Sequence, residues 1–346
     1  MTSTSSGASD PNLAHPIEPH MDEADRAANG RERLAAVLQR GGAFVALAIV
    51  SLVASLVFGT RFASVDNFLN ILEASSFLAL VAVGMTFVII GGGIDLSVGS
   101  LLALSAVLAA FGSQFGTAGA VLLPLGVCAI IGLMEGILIA RARLEPFIVT
   151  LATLLFARGL AFAVSDEGNT IYHIDDQLLV IWLGQGALAG IRVPIIIALL
   201  VFAVGWIVLT RTRYGMAVTA IGGGEDAARL MGLPIARVKT VMYLVSGLLA
   251  GLAGLLVAAR SSSGQSTIGV GLELQAIAAV VIGGTLLTGG SGSIPGTLAG
   301  VLLLNVINNV INQVGTLSSY YQQVVSGVFL VIVVLVQQYL SRKQRL

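Results

Sequence analysis

An all-α polytopic membrane protein with about ten transmembrane helices is the fold class this sequence predicts, and three observations predict it. Of 346 residues, 56% are hydrophobic and only 10% are charged, against roughly 25% charged in an ordinary soluble domain. The apolar residues gather in runs long enough to cross a hydrocarbon core of about 30 Å. Those runs are punctuated by Gly-rich turns, Gly accounting for 42 of the 346 residues. No soluble fold of this size has enough interior to hide that much apolar surface. Zero net charge gives no sign of a nucleic-acid partner. The single Cys128 lies inside an apolar run, where it reads as a small packed residue; an intrachain disulfide is excluded.

Taken in order, residues 1–40 carry Ser, Asp, Pro, His and Arg without an apolar run. Residues 1–21 read as disordered and 22–40 as a short interfacial helix, and no hydrophobic region of a cleavable signal peptide stands near the start. A transmembrane domain follows over 41–341, with spans at 42–59, 68–90, 96–112, 119–140, 147–164, 193–210, 240–259, 271–288, 294–313 and 321–340. Residues 342–346 form a basic tail. Arg31, Arg33 and Arg40 precede the first span, and Arg141 and Arg143 follow the fourth. Arg211, Arg213, Arg229, Arg237 and Lys239 lie between the sixth and seventh, and Arg342, Lys343 and Arg345 end the chain. An even number of spans places all four clusters on one side, so the positive-inside bias puts both termini in the cytoplasm. The opposite loop, 165–192, carries Asp166, Glu167, Asp175 and Asp176 with Arg192.

The two halves share a pattern. Val83 to Ile90 runs into Gly91-Gly92-Gly93-Ile94-Asp95, and Ile282-Gly283-Gly284-Thr285-Leu286-Leu287-Thr288 runs into Gly289-Gly290-Ser291-Gly292. Each is an apolar helix ended by glycines and followed by a second apolar helix, at Leu96 and at Ile294. Duplicated halves with Gly-broken helices at the working interface are a transporter signature; the plainer explanation is that Gly-rich membrane turns look alike.

Several polar features need a reason to exist in lipid. Gly92, Gly93, Asp95 and Ser97 form a helix break in which each glycine costs about 1 kcal/mol of helix stability. Asp95 is placed to accept from free N–H groups near Ser97 and Val98. The break reads either as a capped turn or as a gate beside a pathway. Asn305, Asn308, Asn309, Asn312 and Gln313, at offsets 0, 3, 4, 7 and 8, share one helix face. Such a face seeks water or a partner helix, so it reads either as interhelical hydrogen bonding or as a pore lining suited to an uncharged polyol. Arg158 lies about three turns into its span and needs a partner, whereas Glu135 and Glu273 are placed to snorkel. Ser246, Ala250 and Gly254, with Gly247 and Gly251, set small residues at spacing four, which lets helix backbones touch.

The segment 211–239 is far longer than a turn needs. Within it, Glu225-Asp226-Ala227-Ala228-Arg229-Leu230-Met231-Gly232 reads as a short helix. Its acids sit at the N-terminus where the dipole favours them, Gly232 is its stop, and Pro234 blocks continuation. A rigid, charged helix of this kind is something a cytoplasmic motor can grip; a solvated connector is the alternative. The chain has no P-loop, its only lysines being Lys239 and Lys343, and no H-E-x-x-H, Cys/His cluster or G-x-S-x-G. Nothing supports catalysis within the polypeptide.

Gly92-Gly93-Ile94-Asp95-Leu96-Ser97-Val98-Gly99-Ser100 resembles the signature of permease subunits of bacterial sugar ATP-binding-cassette importers, the ribose/xylose/arabinose permease family. Pro146-Phe147-Ile148-Val149-Thr150-Leu151 with Arg158-Gly159, Tyr214-Gly215, Ala220-Ile221-Gly222-Gly223, and Ala279 to Gly284 through Gly290, Gly292, Gly296 and Thr297 resemble its later blocks, in order. Asp226-Ala227-Ala228 with Gly232 is similar to the pattern that docks on the ATPase, with Asp in place of Glu. The likeness covers about residues 42–340. One departure is Gly132-x-x-Glu135-Gly136, where the family usually has Asn before the second Gly. Gly315-Thr316-Leu317-Ser318-Ser319 and the late block are most similar to the galactofuranose-type permeases.

The resemblance implies a transport subunit without a cofactor of its own, ATP and Mg being held by a separate ATP-binding subunit. It implies a periplasmic sugar-binding protein and a second permease copy, or a related permease, as further partners in the inner membrane. Transport of a pentose or hexose, galactofuranose included, would proceed by alternating access with residues 225–232 transmitting the motion. A self-contained ion-coupled symporter and a passive channel are the competing readings, and the segment 211–239 separates the importer from both, because neither needs a docking helix.

Overall fold

The computed structural model describes residues 23–175 and 177–315 and four isolated positions between 324 and 331, with side chains from Gly41 onward. The chain divides into two compact units, Met1–Leu38 and Gln39–Leu346. Helix α1 (Glu23–Phe58) begins in the first, whose described residues are helical, and continues into the second. The reading of 1–21 as disordered, the tenth span and the basic tail lie outside the described residues.

The second unit is helical almost throughout. It contains α2 (Val65–Ile90), α3 (Val98–Gly112), α4 (Gly116–Ala140), α5 (Pro146–Val164), α6 (Leu178–Gln185), α7 (Val193–Arg211) and α8 (Arg213–Gly223). After these come α9 (Glu225–Leu230), α10 (Ile235–Ser261), α11 (Leu272–Ile282) and α12 (Ile294–Val314). Two-residue antiparallel pairs join β1 (Tyr172–His173) to β4 (Ser263–Gly264) and β2 (Ala187–Leu188) to β3 (Ile191–Arg192).

Among the described residues seven helical stretches are long and apolar enough to cross a membrane, which bears out the all-α membrane class but not a count of ten. One of the seven, Val98–Ala140, is folded back on itself. A single 3-10 turn at Ser113–Phe115 precedes Gly116, whose φ is +85°. The Cys128 thiol approaches the Leu101 carbonyl at 3.6 Å, which makes α3 and α4 a hairpin. A Cβ on Gly112 would strike the Gly119 carbonyl, and one on Gly119 the Gly112 carbonyl, so only glycine lets the two arms close. The expected spans at 96–112 and 271–288 become helices of 15 and 11 residues. At 1.5 Å per residue these reach only about 22 and 16 Å, short of the bilayer core. Both are half-helices, cut by the glycines that precede the first and follow the second.

Helix α10 is the centre of the unit, lying against α2, α3 and α4. It starts at Ile235, five residues before the expected span, because Pro234 pre-sets the entry to a helix. Its small-residue stripe is spent inside the chain. A Cβ on Gly247 would sit 2.7 Å from the Cys128 carbonyl oxygen, and one on Gly132 would sit 2.5 Å from that of Tyr243. Across the other side, Gly84 brings α2 against the backbone of Ser246. Van der Waals contact between backbones replaces the hydrophobic effect, which cannot join helices already in an apolar medium. Helix α2 is nearly all buried while α5 is mostly exposed, so α5 presents its apolar flank to lipid.

Replacing Gly247 by Ala is expected to destabilise the protein by about 1–3 kcal/mol through overpacking. Gly126→Ala, where a Cβ meets open space, is expected to stabilise it by about 0.5–1 kcal/mol. Thermal unfolding of the two variants in detergent checks both signs.

Candidate functional site

The two Gly breaks have the same backbone. Gly91 N–H donates to Phe87 O, Gly92 N–H to Ile89 O and Gly93 N–H to Val88 O. In the second half Gly283 N–H donates to Ala279 O, Gly284 N–H to Val281 O and Thr285 N–H to Val280 O, an identical i−4, i−3, i−5 series. The middle glycine of each has positive φ, +81° at Gly92 and +90° at Gly284. This is the left-handed helix termination that glycine permits without a Cβ penalty. The structural repeat therefore pairs Gly91–Gly93 with Gly283–Thr285, six residues before the Gly289–Gly292 cluster that the sequence sets against it, because α11 already ends at Ile282. The second copy then carries four extra residues before α12, which Ser293 caps by accepting from Gly296 N–H at 3.2 Å.

The breaks meet. Gly290 N–H donates to the Ile90 carbonyl at 2.8 Å, so an acceptor left over at the end of α2 is satisfied by the other half of the chain. Gly222, at the end of α8, lies against the same carbonyl so closely that a Cβ there would collide with it. A Cβ on Gly289 would sit 3.1 Å from the Gly92 backbone, and one on Gly290 2.7 Å from the Gly223 Cα. Nearby, Thr86 of α2 and Thr297 of α12 share a hydroxyl hydrogen bond at 2.9 Å. Nothing in the sequence pairs Gly222 with the breaks; its position before the 225–232 helix was the only signal.

Asp95 is fully buried beside the first break. Its Oδ1 accepts from Ser97 N–H at 2.9 Å and from the Ser97 hydroxyl at 2.6 Å, and its Oδ2 accepts from the Ser246 hydroxyl at 2.6 Å. The expected bond to Ser97 is present, and the other oxygen is turned to α10 instead of to Val98. Glu135 does not snorkel. It is 1% exposed, and neither carboxyl oxygen has a hydrogen-bond partner. Asp95 acts on it electrostatically, so acids scattered in sequence come within reach of one another in space.

The amide face exists, on α12. Asn309 and Asn67 of α2 exchange two hydrogen bonds, at 2.8 and 3.3 Å, and Gln313 donates to Asn309 Oδ1 at 2.8 Å. Asn305 donates to the Val301 carbonyl of its own helix. Asn308 Oδ1 is buried and has no hydrogen-bond partner, and Asn312 is exposed. One amide of the face thus ties α12 to α2.

The segment 211–239 is mostly helix. Thr212 caps α8 by accepting from Gly215 N–H at 3.2 Å. Helix α9 follows at Glu225–Leu230, and Gly232 ends it with φ of +76°. Ala228 is buried beneath α9, whereas Leu230 is 91% and Met231 67% exposed. Two apolar side chains beside a charged helix are the sequence signal for a contact surface. Glu225 fastens α9 to α10 through Lys239 Nζ at 2.5 Å and holds Arg229 at 2.9 Å. Arg143, Glu145, Glu225, Arg229, Lys239 and Gly92 line a polar cavity of about 510 Å³, so α9, the α4–α5 turn and the first break share one end of the bundle.

Other ion pairs sit elsewhere on the bundle. Glu73 of α2 binds Arg192, before α7, and Arg260, near the end of α10, the latter at 3.1 Å. Arg260 also lies 5.7 Å over the Phe77 ring. Arg158 finds its partners in the Ser266 and Ile268 carbonyls, at 2.7 and 2.8 Å.

Residues 67–334 match the protein family described as "Branched-chain amino acid transport system / permease component". The chain is 42% identical over 306 residues to the ribose import permease protein RbsC of Haemophilus influenzae, covering 87% of this chain and 94% of that one. It is 38% identical over 272 residues to the fructose import permease protein FruG of Bifidobacterium longum, covering 75% and 79%. To the L-arabinose ABC transporter permease protein AraH of Azospirillum brasilense it is 34% identical over 333 residues, covering 94% and 96%. No solved structure matches.

The Lys239 hydrogen bond, and after it the nearby Lys239 and Arg229 charges, hold the Glu225 carboxyl below its ordinary value of 4.5. The tie is therefore fully present above that value and is lost as pH falls through the lower, folded-state one. A spin label at position 231 is expected to be immobile at pH 7 and to loosen below pH 4.5. In Glu225→Gln it is expected to be mobile at both pH values, measured by electron paramagnetic resonance.

Proposed function

Because the chain belongs to the family of permease subunits of bacterial sugar ATP-binding-cassette importers, we propose that it is the membrane-spanning subunit through which a monosaccharide, pentose or hexose, is imported. A separate ATP-binding subunit drives it, a periplasmic binding protein delivers the sugar, and a second permease completes the pathway. The chain itself performs no chemistry. Support for the sugar class comes from relatives named for ribose, fructose and arabinose; galactofuranose belongs in the same panel on the likeness of the late blocks.

The observation that carries the mechanism is α9: a short helix braced by Glu225–Lys239, ended at Gly232 and presenting Asp226, Leu230 and Met231 outward. We place the ATPase on that surface, at the cytoplasmic end. Motion of α9 reaches the Gly breaks through α8, whose last glycines touch both. The amide face of Asn305, Asn308, Asn309 and Asn312 receives the sugar as the pathway opens. Uncharged groups that both donate and accept match hydroxyls and offer an ion little.

Gly232→Glu forces a side chain into positive φ on the docking surface, and is expected to abolish ATPase capture in pull-downs and cut uptake at least tenfold with membrane insertion unchanged. Uptake by the whole assembly is expected to follow ATP and to survive an uncoupler; abolition by the uncoupler with ATP intact would establish the symporter instead. Asn308→Leu is expected to lower uptake more than assembly, read from transport assays beside size-exclusion profiles.

A further inference from the structure

Glu135 is unused by the transport reading. It lies on α4 with both carboxyl oxygens buried and without a hydrogen-bond partner. Tyr243 of α10, 2% exposed, has a hydroxyl in the same condition. That hydroxyl reaches the first break, where a Cβ on Gly93 would collide with it, two residues from Asp95. Asp95 is electrostatically in reach of both Glu135 and Tyr243.

Two carboxylates within electrostatic reach of one another in a dry interior are too costly to keep without a compensating proton or cation. Their surroundings divide the roles. Asp95 accepts from one N–H and two hydroxyls, which favours its ionised form. Glu135 has only the Ser97 and Thr153 hydroxyls in reach, and each donates to another acceptor, Asp95 and the Val149 carbonyl, which favours the neutral acid. No cation compensates either: the loop between α2 and α3 offers Asp95, α10 offers Tyr243, and α5 offers only Thr153. Lys239, one turn along α10 from Tyr243, is taken by Glu225.

A route to Glu135 is present. A groove of about 320 Å³ between α4 and α5 has Glu135 and Thr153 in its lining, with apolar walls that include Met134, Ile148 and Phe156. Leu144 lines both this groove and the polar 510 Å³ cavity beside α9, so the two spaces adjoin there.

We propose that Glu135 is an intramembrane proton-binding site, holding a neutral carboxyl against the Asp95 carboxylate and exchanging its proton along the α4–α5 groove through the Leu144 junction. The site sits beside the first Gly break, so its loss of a proton would set a second negative charge next to Asp95.

A hydrophobic carbodiimide, dicyclohexylcarbodiimide, tests this on the full chain in lipid vesicles. Its central carbon bonds to a carboxyl oxygen as the acid proton passes to one of its nitrogens. The O-acylisourea so formed rearranges to an N-acylurea, and the whole reagent is retained with no leaving group. Peptide mass spectrometry is expected to find the adduct on Glu135, forming about tenfold more slowly per pH unit above the carboxyl's titration and indifferent to Na⁺. A water-soluble carbodiimide is expected to label exposed acids such as Asp226 and to spare Glu135. Glu135→Gln is expected to lose that adduct alone. No adduct on Glu135 between pH 5 and 9 while exposed acids react, or a rate that does not change with pH, would overturn the proposal. Protection by Na⁺ at fixed pH would overturn it too, by making the site one for a metal cation.

Discussion

Every other feature of this fold depends on how it satisfies backbone groups where helices stop inside an apolar medium. Water cannot serve there, and an orphaned carbonyl costs several kcal/mol. The solution is a left-handed turn at Gly92 and again at Gly284, which pairs three N–H groups with the helix just ended. One residual carbonyl, Ile90 O, is met by Gly290 N–H from the other repeat. The second half therefore completes the first. Glycine is needed at Gly222, Gly289 and Gly290, where a Cβ would strike the facing backbone, and at Gly92 for its positive φ.

The same economy explains where the charges are. In a soluble domain they would be spread over the surface; here three charged side chains within the bundle are each given something specific. Arg158 has two carbonyls, Glu73 has two arginines, and Asp95 has two hydroxyls and an N–H. Glu135 stands apart from this rule.

Hydropathy made most of the fold legible. Runs of apolar residues located six helices, α2, α3, α4, α5, α7 and α12, to within three residues of both ends, because a membrane segment is specified by composition over a fixed length. Their ability to span was less legible. The segments at 96–112 and 271–288 look like spans, since the residues of a half-helix are as apolar as those of a whole one. The helix over Arg213–Gly223 was not legible: its charge and glycines argue against a helix, and its neighbours α7 and α10 overrule them. At the site, the Asp95–Ser97 contact and the stop at Gly232 were readable because both are local. The exchange between Asn67 and Asn309 and the meeting of Asp95 with Glu135 were not. Each joins residues tens to hundreds of positions apart, brought together by packing that leaves no periodic trace.

The closures described here are unlike in kind. At the Gly breaks, backbone lies against backbone with no room for solvent. At Glu73, a buried carboxylate is held by Arg192 and Arg260, whose side chains are 34% and 46% exposed. Mobile ions screen the second and have no purchase on the first. The bundle is thus ionically asymmetric: electrolyte bathing the Glu73 cluster loosens the grip among α2, α7 and α10, while the seam between the repeats stays as tight in brine as in dilute buffer.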